Sequence, residues 1–177
     1  MDRRAYLTAI GAAGLAATAG CSGGSDDGAD SDESDVAMYD GEASSYLLSL
    51  ERISETLPGE WARVGSREPD QDPNGLASIV IQQYSRTDSD GTLDFALTVF
   101  ETVDDVETYL GDNRDVISAD DGVTLTEQEV GEESFSVDTQ NGTILYVRRS
   151  NIYIQLFSAL PLSDLRALAQ AQLNALD

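Results

Sequence analysis

The chain has no lysine, no histidine and a single cysteine. Each absence closes off a class of chemistry. Without histidine there is no Ser/His/Asp or Cys/His nucleophilic system and no zinc site of ordinary ligands. One cysteine cannot close an internal disulfide. Without lysine, all ten bases are arginines, set against 33 acids for a net charge of −23 at pH 7. Long apolar runs are missing too: the sixteen uncharged residues behind Arg4 are rich in glycine and alanine and fall short of the roughly 20 apolar residues that a membrane span needs.

The acids do not all sit in one tail. Cys21 to Ser45 carries eight acids and no base, yet the chain from Tyr46 onward still has 24 acids against eight arginines, a net of −16. An acidic folded surface with no lysine points to a very salty medium. Dense carboxylates repel one another at low ionic strength, and a Debye length of about 3 Å at 1 M salt screens most of that repulsion. The alternative is an acidic protein of an ordinary cell. On either reading nucleic acid and anionic lipid headgroups are poor partners for this surface, and no nucleic-acid role is expected.

The N-terminus reads MDRRAYLTAIGAAGLAATAGC. Arg3 and Arg4, followed by Ala5, Tyr6 and Leu7 and a weakly hydrophobic stretch, resemble a twin-arginine export signal. Thr18, Ala19, Gly20 and Cys21 resemble a lipobox, in which small residues admit a peptidase and the cysteine sulfur takes a lipid. Thr18 stands where leucine is commoner. The alternative is an uncleaved anchor with a solitary cysteine. The expected arrangement is a signal peptide over 1–20, an acidic tether over 21–40 and a globular domain over 41–177, held on the outer face of the cell membrane by the lipid on Cys21. No apolar residue larger than alanine lies between Cys21 and Val36, so the tether cannot offset its own ordering entropy. Calcium binding by its acid run is the other reading.

Within the domain, Ala43, Tyr46, Leu47, Leu50, Ile53 and Leu57 recur at helical spacing, and Pro58-Gly59 ends the run, which predicts an amphipathic helix over 41–57. Residues 76–86 and 92–101 read as strands joined by a Ser-Asp-Gly turn. Thr102 with Asp105 three residues on reads as a helix N-cap, and Val103, Val106, Tyr109, Leu110, Val116 and Ile117 form the stripe that follows. Short strands are predicted at 123–129 and 133–138, and firmer ones at 143–149 and 151–158, with Asn141-Gly142 as a tight turn. Leu165, Leu168, Ala169, Leu173 and Leu176 close the chain as a third helix. The expected fold class is α+β: a mostly antiparallel sheet of five or six strands with three helices packed on it.

The run Val130-Gly131-Glu132-Glu133-Ser134-Phe135, then Tyr146-Val147-Arg148-Arg149-Ser150-Asn151 and a terminal helix rich in Leu, Ala and Gln, resembles small surface lipoproteins of halophilic archaea. It is also similar to extracytoplasmic sensor domains of certain actinobacterial kinases and to related lipoproteins with a PsbP-like fold. In those, a VGDE-aromatic turn precedes a VRRGN strand junction; here Ser150 stands in place of the glycine. The resemblance implies a shared fold from Val130 onward.

Few constellations carry chemistry. Asp70-Gln71-Asp72-Pro73-Asn74-Gly75 copies the first half of an EF-hand loop, but the twelfth position is Ile81 rather than glutamate, and Pro73 stiffens the loop, so it reads as a polar turn. Asp88, Asp90 and Gly91 read as hairpin residues. Asn141-Gly142-Thr143 is a glycosylation sequon as well as a turn. Arg148 and Arg149 are expected on opposite faces of a strand, one pairing with Glu132 or Glu133 and the other free for an anionic ligand. Trp61, near Arg63 and Arg67, is either a lid on the core or a contact for a ligand or partner. Carboxylates are so numerous that their spacing carries no catalytic signal. No metal or cofactor is expected. The reading is a non-catalytic surface module that binds an envelope protein or a small extracellular ligand. An accessory or chaperone-like factor for a membrane complex is the alternative, and a carboxylate-dependent enzyme ranks last.

Overall fold

Eleven segments of regular structure follow one another in the computed structural model, which describes residues 38–67, 74–120 and 122–177. They are α1 (Ala43–Tyr46), α2 (Leu50–Thr56), β1 (Trp61–Arg67), β2 (Leu76–Arg86), β3 (Thr92–Phe100), α3 (Val103–Ser118), β4 (Leu125–Glu127), β5 (Glu133–Thr139), β6 (Gly142–Arg149), β7 (Ile152–Ser158) and α4 (Leu162–Asn174). The strands form one antiparallel sheet in the order β1-β2-β3-β7-β6-β5-β4. The α+β class and the antiparallel sheet follow expectation. Among the described residues the sheet has seven strands rather than five or six, and there are four helices rather than three.

The period-2 alternation of β3 sets the two cores. Leu93, Phe95, Leu97 and Val99 point to one face, where they meet Ile152, Ile154 and Leu156 of β7, Leu145 and Val147 of β6, and the apolar sides of α1, α2 and α4. Phe100 points to the other face, where α3 packs Val106 and Leu110 against Phe135, Val137, Tyr146 and Tyr153. Helix α3 starts as the sequence predicts: the Thr102 hydroxyl accepts the Asp105 amide at 3.1 Å, which satisfies one of the free N–H groups of the first turn.

Two departures from expectation have physical causes. The single helix over 41–57 is broken at Leu47–Ser49, because the amide of Gln172 on α4 enters the break. Its oxygen accepts from Leu48 N–H at 2.9 Å and its nitrogen donates to the Tyr46 carbonyl at 2.8 Å, replacing helical backbone bonds. Ser49 then caps α2 by accepting from Arg52 N–H. The additional strand, β1, is an edge strand with two arginines, a glycine and a bulge between Arg63 and Gly65; such features protect an edge from further pairing and hide it from a search for alternation. The turn between β5 and β6 also lies one residue earlier than predicted, at Gln140–Asn141. Gly142 belongs to β6, where a Cβ would come within 2.4 Å of the Ser158 carbonyl oxygen.

Candidate functional site

The junction of β6 and β7 holds four residues of the VRRSN run in intramolecular bonds. Arg148 reaches Glu132 at 2.7 Å and Glu107 at 3.4 Å, with Glu133 beyond at 3.6 Å. Glu132 also accepts from the Ser150 amide at 3.0 Å, so one carboxylate ties the Gly131 turn to the hairpin. Arg149 leaves the opposite face, donates to the Leu173 carbonyl at 3.1 Å at the end of α4 and pairs with Asp177. The hydrogen bond to the Asp177 carboxylate raises the Arg149 pKa. Asn151 is buried and acts as a clasp: its side-chain oxygen accepts from Tyr39 N–H, and its amide donates to the carbonyls of Tyr39 and Phe100 at 2.7 and 2.6 Å. Tyr39, ahead of position 41, is thereby fastened to the hairpin of β6 and β7.

Trp61 opens β1 as a core residue, 5% exposed, with its indole N–H donating to the Pro58 carbonyl at 3.2 Å. Asn141 is exposed at the tip of the β5–β6 turn. Arg86 and Asp88 form a two-bond pair across the β2–β3 turn, which holds the Asp88 carboxyl below its ordinary range. Ile81, the twelfth position counted from Asp70, lies within β2, and among the described residues no cluster of acids is arranged to hold a metal. Cys21, Arg3 and Arg4, the predicted acidic tether as far as residue 37 and Asp70 to Pro73 lie outside the described residues. Among those described, no helix is long and apolar enough to cross a membrane.

Among the described residues, two surfaces remain that no intramolecular contact accounts for. The first is the half of the sheet on the α3 side that α3 does not cover. Strand register places Ile81 beside Ala96, Ala96 beside Gln155, and Phe157 between Asp94 and Ile144. Ile79, Ile81, Ala96 and Phe157 are partly buried, yet they belong to neither core. The one carboxylate on these rows of β2, β3 and β7, Asp94, accepts a hydrogen bond from Gln83 at 3.1 Å. On a chain of net charge −23 these rows hold no other acid, and the edge strand β1 sets Arg67 beside Ile81.

The second surface is a cleft of about 370 Å³ on the opposite side of the sheet, at the break between α1 and α2. Ser44, Leu47, Leu48, Ser49 and Leu50 form one wall, and Arg63, Gln82 and Tyr84 form the other. Arg63 faces it from β1 in register with Tyr84, whose hydroxyl donates to the Gln82 side-chain oxygen at 2.8 Å. Burial raises the Tyr84 pKa, with the Arg63 charge opposing it in part. The sequence placed Trp61 and the arginines together at one site; the structure brings Arg63 to the cleft and turns Trp61 into the core. The open sheet half had a signal that went unused: Ile79, Val80 and Ile81 run without a polar break, the mark of a strand that seeks cover on both faces.

No family model matches the chain, and no curated protein matches its sequence.

Proposed function

We propose that the chain is a lipoprotein exported through the twin-arginine pathway, anchored by Cys21 on the outer face of the membrane, whose domain is a non-catalytic module that docks an envelope protein through the open half of its sheet. The observation that carries the docking reading is the row of Ile79, Ile81, Ala96 and Phe157 outside both cores. A solvated acidic protein has acids to spare for such a face, and this one has placed apolar side chains there instead. The partner is of matching chemistry: a surface with its own apolar patch and few charges, since carboxylate-rich surfaces would repel this domain beyond the patch.

A photoreactive residue at position 81 tests the docking reading in intact cells at native salt, with position 55 on the exposed side of α2 as control. One envelope protein captured at 81 and not at 55, and lost on Phe157→Glu, supports it. Equal capture at both positions, or a product of twice the chain's own mass, would replace it with non-specific contact or with self-association. Mass spectrometry of the mature N-terminus tests the anchor separately: an unlipidated Cys21 ends that part of the proposal.

A further inference from the structure

The cleft beside α1 and α2 has a charge pattern opposite to that of the molecule. Among the described residues five arginines stand in ion pairs: Arg52, Arg86, Arg114, Arg148 and Arg149. With acids more than three times as numerous as bases, pairing is the expected fate of an arginine here. Arg63, like Arg67 and Arg166, makes no ion pair among the described residues, and of these three it is the one that lines the cleft, whose wall contains no carboxylate at all. The remaining wall divides in two. Leu47, Leu48 and Leu50 are apolar, while the Tyr84 hydroxyl and the Gln82 amide offer polar groups beside Arg63. At about 370 Å³ the cleft lies at the small end of the usual range for small-molecule sites, roughly 300–1,000 Å³.

We infer that this cleft binds a small monocarboxylate with a branched or aromatic apolar body, its carboxylate on the Arg63 guanidinium and its body against Leu47 and Leu50. A guanidinium presents a planar fork that matches a carboxylate with two parallel hydrogen bonds, so one arginine suffices for one such charge. A phosphate dianion would need a second cation, and no other arginine lines the cleft. Salt at molar concentration screens the exposed pair, so the leucine wall supplies most of the affinity and Arg63 the discrimination against neutral analogues. The site is on the other side of the sheet from Ile81 and Phe157, and it stands or falls independently of the proposed docking face.

The test is a nitrogen-15 NMR titration of the folded domain in concentrated potassium chloride with 4-methylpentanoate, its neutral amide 4-methylpentanamide, and N-acetyl-leucine. The expected result is saturable shifts at Gln82, Tyr84 and Arg63 with the acid, about fivefold or more weaker binding of the amide, and the same loss for the acid on Arg63→Gln. Arg63 is exposed, so that variant keeps the fold, and Leu50→Ser checks the apolar wall with a loss for acid and amide alike. Tighter binding of N-acetyl-leucine than of the free acid identifies a peptide C-terminus as the source of the carboxylate; weaker binding identifies a free acid. No shifts at the cleft, or equal binding of acid and amide, overturns the inference.

Discussion

Replacing Gln172 tests how the break between α1 and α2 is held. Its side chain is fully buried and bonds both the Tyr46 carbonyl and the Leu48 amide. Gln172→Leu keeps the side chain's approximate size and removes both bonds. Each of the two stranded backbone groups costs about 1–3 kcal/mol, and the gain in apolar burial returns about 1 kcal/mol, which leaves an expected loss of about 1–5 kcal/mol. A domain of this size has a total stability of about 5–15 kcal/mol, so the variant still folds and its stability can be measured. Gln172→Glu separates the two bonds by pH. Protonated, the acid accepts from Leu48 and donates to Tyr46; ionised, it can only accept, in a site without solvent. Its folded pKa is therefore raised above the unfolded value of about 4.3. Below the unfolded pKa both states are protonated and the loss is small. As pH rises the unfolded state ionises first and binds fewer protons, so stability relative to the parent falls until the folded group ionises as well. Urea unfolding at constant potassium chloride, followed by circular dichroism across pH 4 to 8, measures both variants, and hydrogen exchange at Leu48 reports the bond directly. A leucine variant within about 0.5 kcal/mol of the parent, or a pH-independent glutamate variant, would refute the reasoning.

Four further outcomes follow from the geometry. Burial raises the pKa values of Tyr109, Tyr146 and Tyr153, so their contribution to stability is complete below the unfolded value near 10 and is lost as pH climbs past it, by up to about 1.4 kcal/mol per pH unit for each ring; ultraviolet titration in which all seven tyrosines ionise normally in the native state would contradict this. The Tyr153 hydroxyl is buried with no hydrogen-bond partner, and Tyr153→Phe is expected to raise stability by about 1 kcal/mol in urea unfolding, with a loss of that size counting against it. Ser150 holds φ 50 at the first of the two residues between β6 and β7, where glycine is favoured, so Ser150→Gly should be neutral or stabilising by up to about 1 kcal/mol, and a clear drop in melting temperature would show that its hydroxyl outweighs the strain. Dilution from molar salt to about 0.01 M lengthens the Debye length from roughly 3 to 30 Å, and Trp61 fluorescence should record unfolding along the way; a melting temperature independent of salt would remove the argument from charge.

What was legible in the sequence was what neighbouring residues decide. The β2–β3 hairpin followed from alternation and its turn residues, α3 from Thr102 and a stripe of apolar positions, and α4 from its leucines. The pairing of Arg148 with Glu132 was within reach too, because both lie in one run of hairpins. The break at Leu47–Ser49 was not, since the group that stabilises it is Gln172, more than 120 residues away. Nothing in the sequence says which of Arg148 and Arg149 is the free one, because the partners of Arg149, the Leu173 carbonyl and Asp177, arrive only when α4 docks. β1 failed for a third reason: Val64 sits in a bulge and is largely exposed, so the strand has no apolar period to read. The cleft inherits two of these difficulties, because it is built from the broken helix on one wall and the missed strand on the other.

The net charge of −23 also decides what recognition could be at each of the two free surfaces. In dilute buffer a molecule so acidic would be held off most envelope proteins by repulsion that reaches tens of ångströms. In the medium its composition suits, that reach shrinks to a few ångströms, and steering by charge goes with it. Burial of apolar surface does not depend on a long-range field, so it survives where charge steering is lost. The proposed docking face uses that term alone, through Ile79, Ile81 and Phe157. The cleft keeps a single cation, and Arg63 works there at hydrogen-bond range, below the screening length. Over the range of salt in which the domain stays folded, an envelope partner should therefore bind more tightly as salt rises, while the exposed contact of Arg63 with a carboxylate should weaken as salt ions compete for it. Opposite signs of salt dependence, measured on one preparation, would separate the two sites without any substitution.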